Sequence, residues 1–345
     1  MLHLVNGDVL SRRITASGLL RPFDPALKDT RDPDIVIPWR DVLYEGPVPA
    51  GRSPINLAND RARYIAGRGW APFLEVRQAF SKRDAAIART GRHDEVVFWF
   101  EDDLYDGLQL AQALDRVAVR RPEETPFSWV LLPSRPGGEI DIRAAFDNRV
   151  PVPVEAFTDA RTFWTAFTAP DPTDLAALVR DRKLSTAILA DTAQRVLAEY
   201  PAVGSGLSLS ERRVLGTLSE GPLTPIEIFR EAVDADPRPF LGDLQVWDRL
   251  DRFATASTPL IGREDGRQWV SPVLDLLSLV EPDMDAFHAQ ELGLTEMGRT
   301  VMAGERDFLD LGIPARWVGG VEITGTVTWR WDATHGDLVG PSGTD

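Results

Sequence analysis

Six carboxylates stand just beyond short apolar runs: Asp8 after residues 2–5, Asp41 and Glu45 after residues 35–39, and Glu101, Asp102 and Asp103 after residues 96–100. Carboxylates gathered in this way repel one another, so they need a hard divalent cation, arginine partners, or shared protons with raised pKa values. Glu101, Asp102 and Asp103 are therefore candidate ligands for Mg²⁺ or Mn²⁺, a choice that would suit a phosphate-bearing substrate. The plainer reading is that acids at the rim of a sheet cap helices in solvent, where the helix dipole favours negative charge by about 0.3–1 kcal/mol. Asn6-Gly7-Asp8 offers a second chemistry, because Gly7 permits positive φ and such a turn can aim backbone N–H groups at a phosphate or ribose. It is not the GxGxxG fingerprint, and the favoured reading is a plain turn with Asp8 capping the next helix. The candidate ligand-binding residues are His3, Asn6, Gly7, Asp8, Trp39, Asp41, Glu45 and Gly46.

The elements that must position these residues are legible in the apolar pattern. Residues 96–100 form a continuous β-branched and aromatic run, as expected of a strand buried on both faces. Leu104, Leu108, Ala111 and Leu114 then recur at spacings of three and four, a helix laying one apolar stripe over the sheet. Further strands are expected at residues 2–5, 35–39 and 127–132, with helices over 56–69 and 81–90. Four strands alternating with helices imply right-handed crossovers and a mostly parallel sheet in an α/β domain. Ligands of such sheets sit at the carboxyl ends of the strands, where the six acids lie.

These segments also carry a resemblance. The blocks LHLVNGD, PWRDVLYEGPVP, RARYIA and VVFWFEDDLYDGLQLAQALD, in this order over roughly the first 120 residues, resemble the bacterial domain-of-unknown-function 1835 family. The resemblance implies a Rossmann-like domain in a cytoplasmic bacterial protein and brings no reaction with it. Asp102 stands where the family has His and Gly107 where it has Gln, so no mechanism that needs an imidazole at that point carries over.

The chain of 345 residues suits two or three domains. Residues 1–150 form the Rossmann-like domain and 151–204 a connector with two helices, ending in a hinge at 201–206. In 205–305, Ser208 with Glu211 and Thr224 with Glu227 fit the capping box, which places two short helices before a third at 238–253. Asp265-Gly266 between candidate strands then signals a hairpin, and a closing helix ends near Gly304. Three helices, a wing and a closing helix make a winged-helix-like α+β domain, with 271–290 inserted. Residues 306–333 alternate like a terminal β-hairpin, and 334–345 read as a frayed tail.

Composition narrows the function classes. The absence of cysteine removes disulfides, thiol nucleophiles and thiolate metal sites, and no two of the four histidines have metal-ligand spacing on a helix. No GxSxG elbow or Walker loop is present. No secretory signal and no run of roughly 18–20 apolar residues is seen, which argues for a cytoplasmic protein with no membrane partner. A formal charge of −15 disfavours a general grip on nucleic acid. The contact candidates of the winged region are Arg238, Arg249, Arg252, Arg263 and Arg267, but Asp243, Asp248 and Asp251 share its third helix, so protein contact or self-association is favoured over DNA. Trp329 and Trp331 are expected on one face of the last strand, docked onto another domain or subunit. The leading expectation is a regulatory or sensor protein that binds a small phosphate-bearing ligand at Asp8, Asp41 and Asp103. The alternative is a metal-dependent hydrolase or transferase acting on a phosphoester or nucleotide.

Overall fold

The computed structural model describes residues 1–21, 32–119, 122, 124–135, 137–272 and 283–341. Alternation of apolar runs and amphipathic segments yields β1 (Leu2–Asn6), α1 (Gly7–Ala16), β2 (Ile35–Trp39), α2 (Pro54–Gly67), α3 (Phe73–Ile87), β3 (Val96–Glu101), α4 (Leu104–Ala118), β4 (Phe127–Leu132), α5 (Ile142–Asp147) and β5 (Val150–Pro151). The strands form one sheet in the order β2-β1-β3-β4-β5. The first four are parallel, as the sequence predicts, and the two-residue β5 adds an antiparallel edge.

Strand alternation sorts the core onto two faces. Val5, Val97 and Trp99 pack with Leu10 and Ile14 of α1 and Phe146 of α5. Leu2, Leu4, Phe98 and Phe100 face the other way, against Leu104, Leu108 and Leu114 of α4. Each large side chain fully buried here contributes about 1.5–3 kcal/mol. The chain leaves β1 toward one face, into α1, and β3 toward the other, into α4, so the two connections diverge beyond the carboxyl ends of these paired strands. This switch point opens a crevice.

The connector contains three helices, not the expected two: α6 (Val154–Thr168), α7 (Thr173–Arg180) and α8 (Ala187–Leu197). The prolines around residue 151 obscure α6 in the sequence, but Ala156, Ala160, Phe163 and Phe167 recur at helical spacing and are all buried in the first domain's core. Gly107 lets α8 approach α4 closely, since a Cβ there would lie 2.0 Å from Thr192 Oγ1.

A second core holds α9 (Leu209–Gly216), α10 (Pro225–Asp234), α11 (Asp243–Thr255), β6 (Ile261–Arg263), α12 (Met284–His288), β7 (Leu292–Leu294) and α13 (Glu296–Met302). Both capping boxes form. The hairpin expected around Asp265-Gly266 does not: β6 pairs antiparallel with β7, and Leu223 bridges Leu292 on β7's other side. Gly266 turns at φ +67°, but the strand that follows lies farther along the chain than local turn chemistry indicates. The expected insertion at 271–290 includes residues 273–282, which lie outside the described residues.

The single terminal hairpin is two: β8 (Arg316–Val318) with β9 (Val321–Ile323), and β10 (Arg330–Asp332) with β11 (Asp337–Val339). The latter takes in residues read as frayed tail, because β11 has β10 as a partner. Val318, Val321 and Ile323 enter the first core, and Trp329 and Trp331 pack against it. The chain thus returns to its beginning: Val48 N–H donates to Gly319 O at 2.8 Å and Val203 N–H to Trp331 O at 2.9 Å. Among the described residues no helix is long and apolar enough to cross a membrane.

Candidate functional site

The switch-point crevice begins where β1 passes directly into α1. Gly7 takes φ +53°, a Cβ built on it would meet nothing within 4 Å, and no side chain caps the first turn of α1. The first turn of α1 beyond Gly7 thus presents backbone N–H groups without a side-chain cap at the positive end of a ten-residue helix. A cavity of about 210 Å³ lies there, lined by Asn6, Gly7, Asp8, Arg13, Glu101 and Tyr105. A neighbouring space of about 420 Å³ shares Gly7, Asp8 and Tyr105 and adds Arg40, Trp70 and Gln245. Gln245 and Leu244 belong to the start of α11, so the carboxyl-terminal part of the molecule roofs the second space.

The electrostatics are balanced rather than strongly acidic. Asp8 is paired with Arg40 at 2.6 Å. Burial raises the Glu101 pKa above the usual range and Asp102 adds to that, against a hydrogen bond from Asn6. Asp103 caps α4 by accepting Asp106 N–H at 2.9 Å. Burial pushes its carboxyl up to about 7, assisted by Glu101 and Asp102 and opposed by that amide bond. Asp106, wholly buried, is driven well up by burial and then by Asp103, while the Glu101 amide and Asn6 donate to it. Its Oδ1 has no hydrogen-bond partner. Two acids this close inside a protein hold protons that they would shed in water.

The six acids do not converge. Glu101 faces the crevice, but Asp102 accepts Ser134 N–H at 2.7 Å and, with Asp103, lines a different cavity on the far side of the β3 end. Asp41 is buried against Arg61 at 2.8 Å. Arg61 also donates to the carbonyls of Val42 and Glu45, so this pair clamps the 41–47 loop and leaves no carboxylate for a ligand. Glu45 pairs with Arg249 at 2.8 Å. Gly46, at φ +75°, sits where a Cβ would come within 2.5 Å of the Tyr64 ring.

His3 and Trp39 are core residues, not site residues. His3 lies inside β1, with Nδ1 accepting from Trp99 Nε1 at 3.1 Å, and burial lowers its pKa to about 4. Trp39 donates from Nε1 to Gln112 at 3.0 Å under the Arg83 guanidinium.

Of the expected ligand-binding set, Asn6, Gly7 and Asp8 are at the crevice, joined by Glu101 from the expected metal set. Sequence reading missed Arg13, Arg40, Tyr105, Asp106 and Gln245. Asp106 carried a signal, standing three residues after Asp103 at capping spacing. Gln245 carried none, because only the packing of α11 brings it there.

Among the described residues no group of three or more His, Asp or Glu side chains is arranged to hold a metal ion. The expected triad fails on geometry, since Glu101 faces the crevice while Asp102 and Asp103 line the other cavity, and burial raises the pKa values of Glu101 and Asp103.

The arginines proposed for DNA or protein contact are largely engaged. Arg249 is buried in an ion pair with Glu45, Arg252 is half-buried against Glu211, Arg238 pairs with Asp191 at 2.7 Å, and Arg263 with Asp265. Arg267 alone of the five keeps a largely exposed side chain, with Asp265 3.7 Å away. Comparison with models of known protein families and with curated proteins gave no match.

Proposed function

We propose that this chain is a cytoplasmic regulatory or sensor protein whose switch-point crevice binds a small phosphate-bearing ligand of nucleotide type. The phosphate would sit on the uncapped N–H groups of the first turn of α1 from Asp8 onward, with Arg13 and Arg40 supplying charge, and a ring would lie between Trp70 and Tyr105. The observation that carries this reading is the roof: Leu244 and Gln245 of α11 close the space over the α1 turn. A ligand there would touch both cores and bias how they dock, which is what a sensor requires. The metal-dependent hydrolase or transferase has less support, for the reasons of geometry given above.

The kinship with the domain-of-unknown-function 1835 family is part of this proposal. Two of its blocks, 38–49 and 61–66, meet through Asp41 with Arg61 and Gly46 with Tyr64, so their joint presence has a physical basis. The order α9, α10, α11, β6 and β7, with Leu223 as a third strand position, supports a winged-helix-like module. With Arg249 and Arg252 facing inward, that module serves protein contact rather than DNA.

Calorimetric titration of the full chain with adenine and guanine nucleotides and with inorganic phosphate tests the reading. Saturable binding without turnover, lost in Arg40→Ala, is the expected result. Metal-dependent turnover abolished by Asp103→Asn would instead establish the hydrolase. Absence of heat from every titrant rejects the ligand class.

A further inference from the structure

A second cavity, of about 340 Å³, lies on the opposite side of the β3 end from the crevice, at the small end of ligand sites. Its walls come from four parts of the chain: the start of α4, α8, the start of α9 with the 236–238 turn, and Trp331 of β10. At the rim, Arg238 donates to Asp191 at 2.7 Å and stands 3.7 Å from Asp102, all three side chains being roughly half exposed. Deeper, Arg213 is paired with Asp236, and Arg195 lies 3.6 Å from the same carboxylate. Leu104, Leu209 and Trp331 supply apolar wall.

Three arginines and four aspartates line this space, but Asp103 is taken up in capping α4, where burial keeps its carboxyl protonated up to about 7, so Asp102, Asp191 and Asp236 match the three arginines. A ligand with a single charge of either sign would bring a charge with no counterpart into a balanced set. A zwitterion brings none. It can also replace the rim ion pair on both sides at once, its anion taking Arg238 and its cation taking Asp191 and Asp102. Exposed pairs of this kind are worth only about 0–1 kcal/mol, so opening one costs little.

We propose that this cavity binds a free α-amino acid with an apolar side chain, its carboxylate on Arg238, its ammonium on Asp191 and Asp102, and its side chain against Leu104, Leu209 and Trp331. The ligand would bridge the first domain, the connector and the second core, independently of the nucleotide crevice.

The test is calorimetric titration of the full chain with L-leucine and L-phenylalanine, beside 3-phenylpropionate and phenethylamine, which each lack one of the two charges. Saturable binding of an amino acid is expected, with both analogues at least about tenfold weaker, the loss of one charge-assisted contact. Arg238→Gln should weaken the amino acid by a similar factor. Gln194→Trp, which fills the mouth from an exposed position on α8, should abolish binding while leaving the melting temperature unchanged. Arg40→Ala, in the other crevice, should leave it intact, which separates this site from the nucleotide reading. The proposal is overturned if neither amino acid saturates by about 10 mM. Analogues that bind equally well, or binding that survives both cavity variants, overturn it as well.

Discussion

Asp103 and Asp106 show how one residue's surroundings decide its charge. An unfolded chain releases the Asp103 proton near the ordinary value of 3.8, whereas the folded protein retains it up to about 7. Below about pH 4 both states are protonated and nothing is lost. Between about 4 and 7 the folded state holds a proton that the unfolded chain gives up, so this residue's contribution to stability falls as pH rises, then levels off. Asp103→Asn keeps a capping side chain and removes the titration. Urea unfolding at about pH 5 and about pH 8 should show the variant gaining on the native chain at the higher pH, by on the order of 2 kcal/mol. Parallel pH profiles would mean that Asp103 is ionised in the fold. The sequence placed these acids at the end of a strand, but charge state depends on burial, which one-dimensional spacing does not report.

Local motifs were the most legible features among the elements, yet identical motifs carry different loads. Both capping boxes were plain in the sequence, and both form. Glu227 of α10 caps in solvent. Glu211 of α9 is buried and also meets Arg252 at 3.0 Å; burial alone would raise its pKa, but Arg316, Arg252 and Arg249 outweigh that and hold it near 2. Glu211→Ala should therefore cost about 3–5 kcal/mol, the range for breaking a buried ion pair, while Glu227→Ala should change little. Chemical denaturation of the two variants distinguishes them, and equal effects would contradict the buried network. Gly107 makes a related point. Ala at this position must push α4 and α8 apart and should destabilise by about 1–3 kcal/mol, measurable in the same way.

At the scale of the whole molecule, the two cores are locked by charges from distant parts of the chain. Glu45 and Arg249 are 204 residues apart and meet at 2.8 Å. Arg249→Met should be strongly destabilising because it strands Glu45, and adding Glu45→Gln should restore much of the loss. A double variant no more stable than the single one would show that the pair does not couple the cores. With these arginines turned inward and a net charge of −15, filter binding should retain no DNA even at low salt; salt-sensitive retention would reverse the assignment of the second core. The sequence by itself determined the alternation of strands and helices, their caps, and the placing of acids at strand ends. These follow from periodicity and from residues a few positions apart. Only the tertiary structure decided that Asp41 and Glu45 serve Arg61 and Arg249, that β6 pairs with β7, and that α11 roofs the crevice. Such choices arise between segments tens to hundreds of residues apart, where what meets is set by the packing of whole layers and leaves no mark in local spacing.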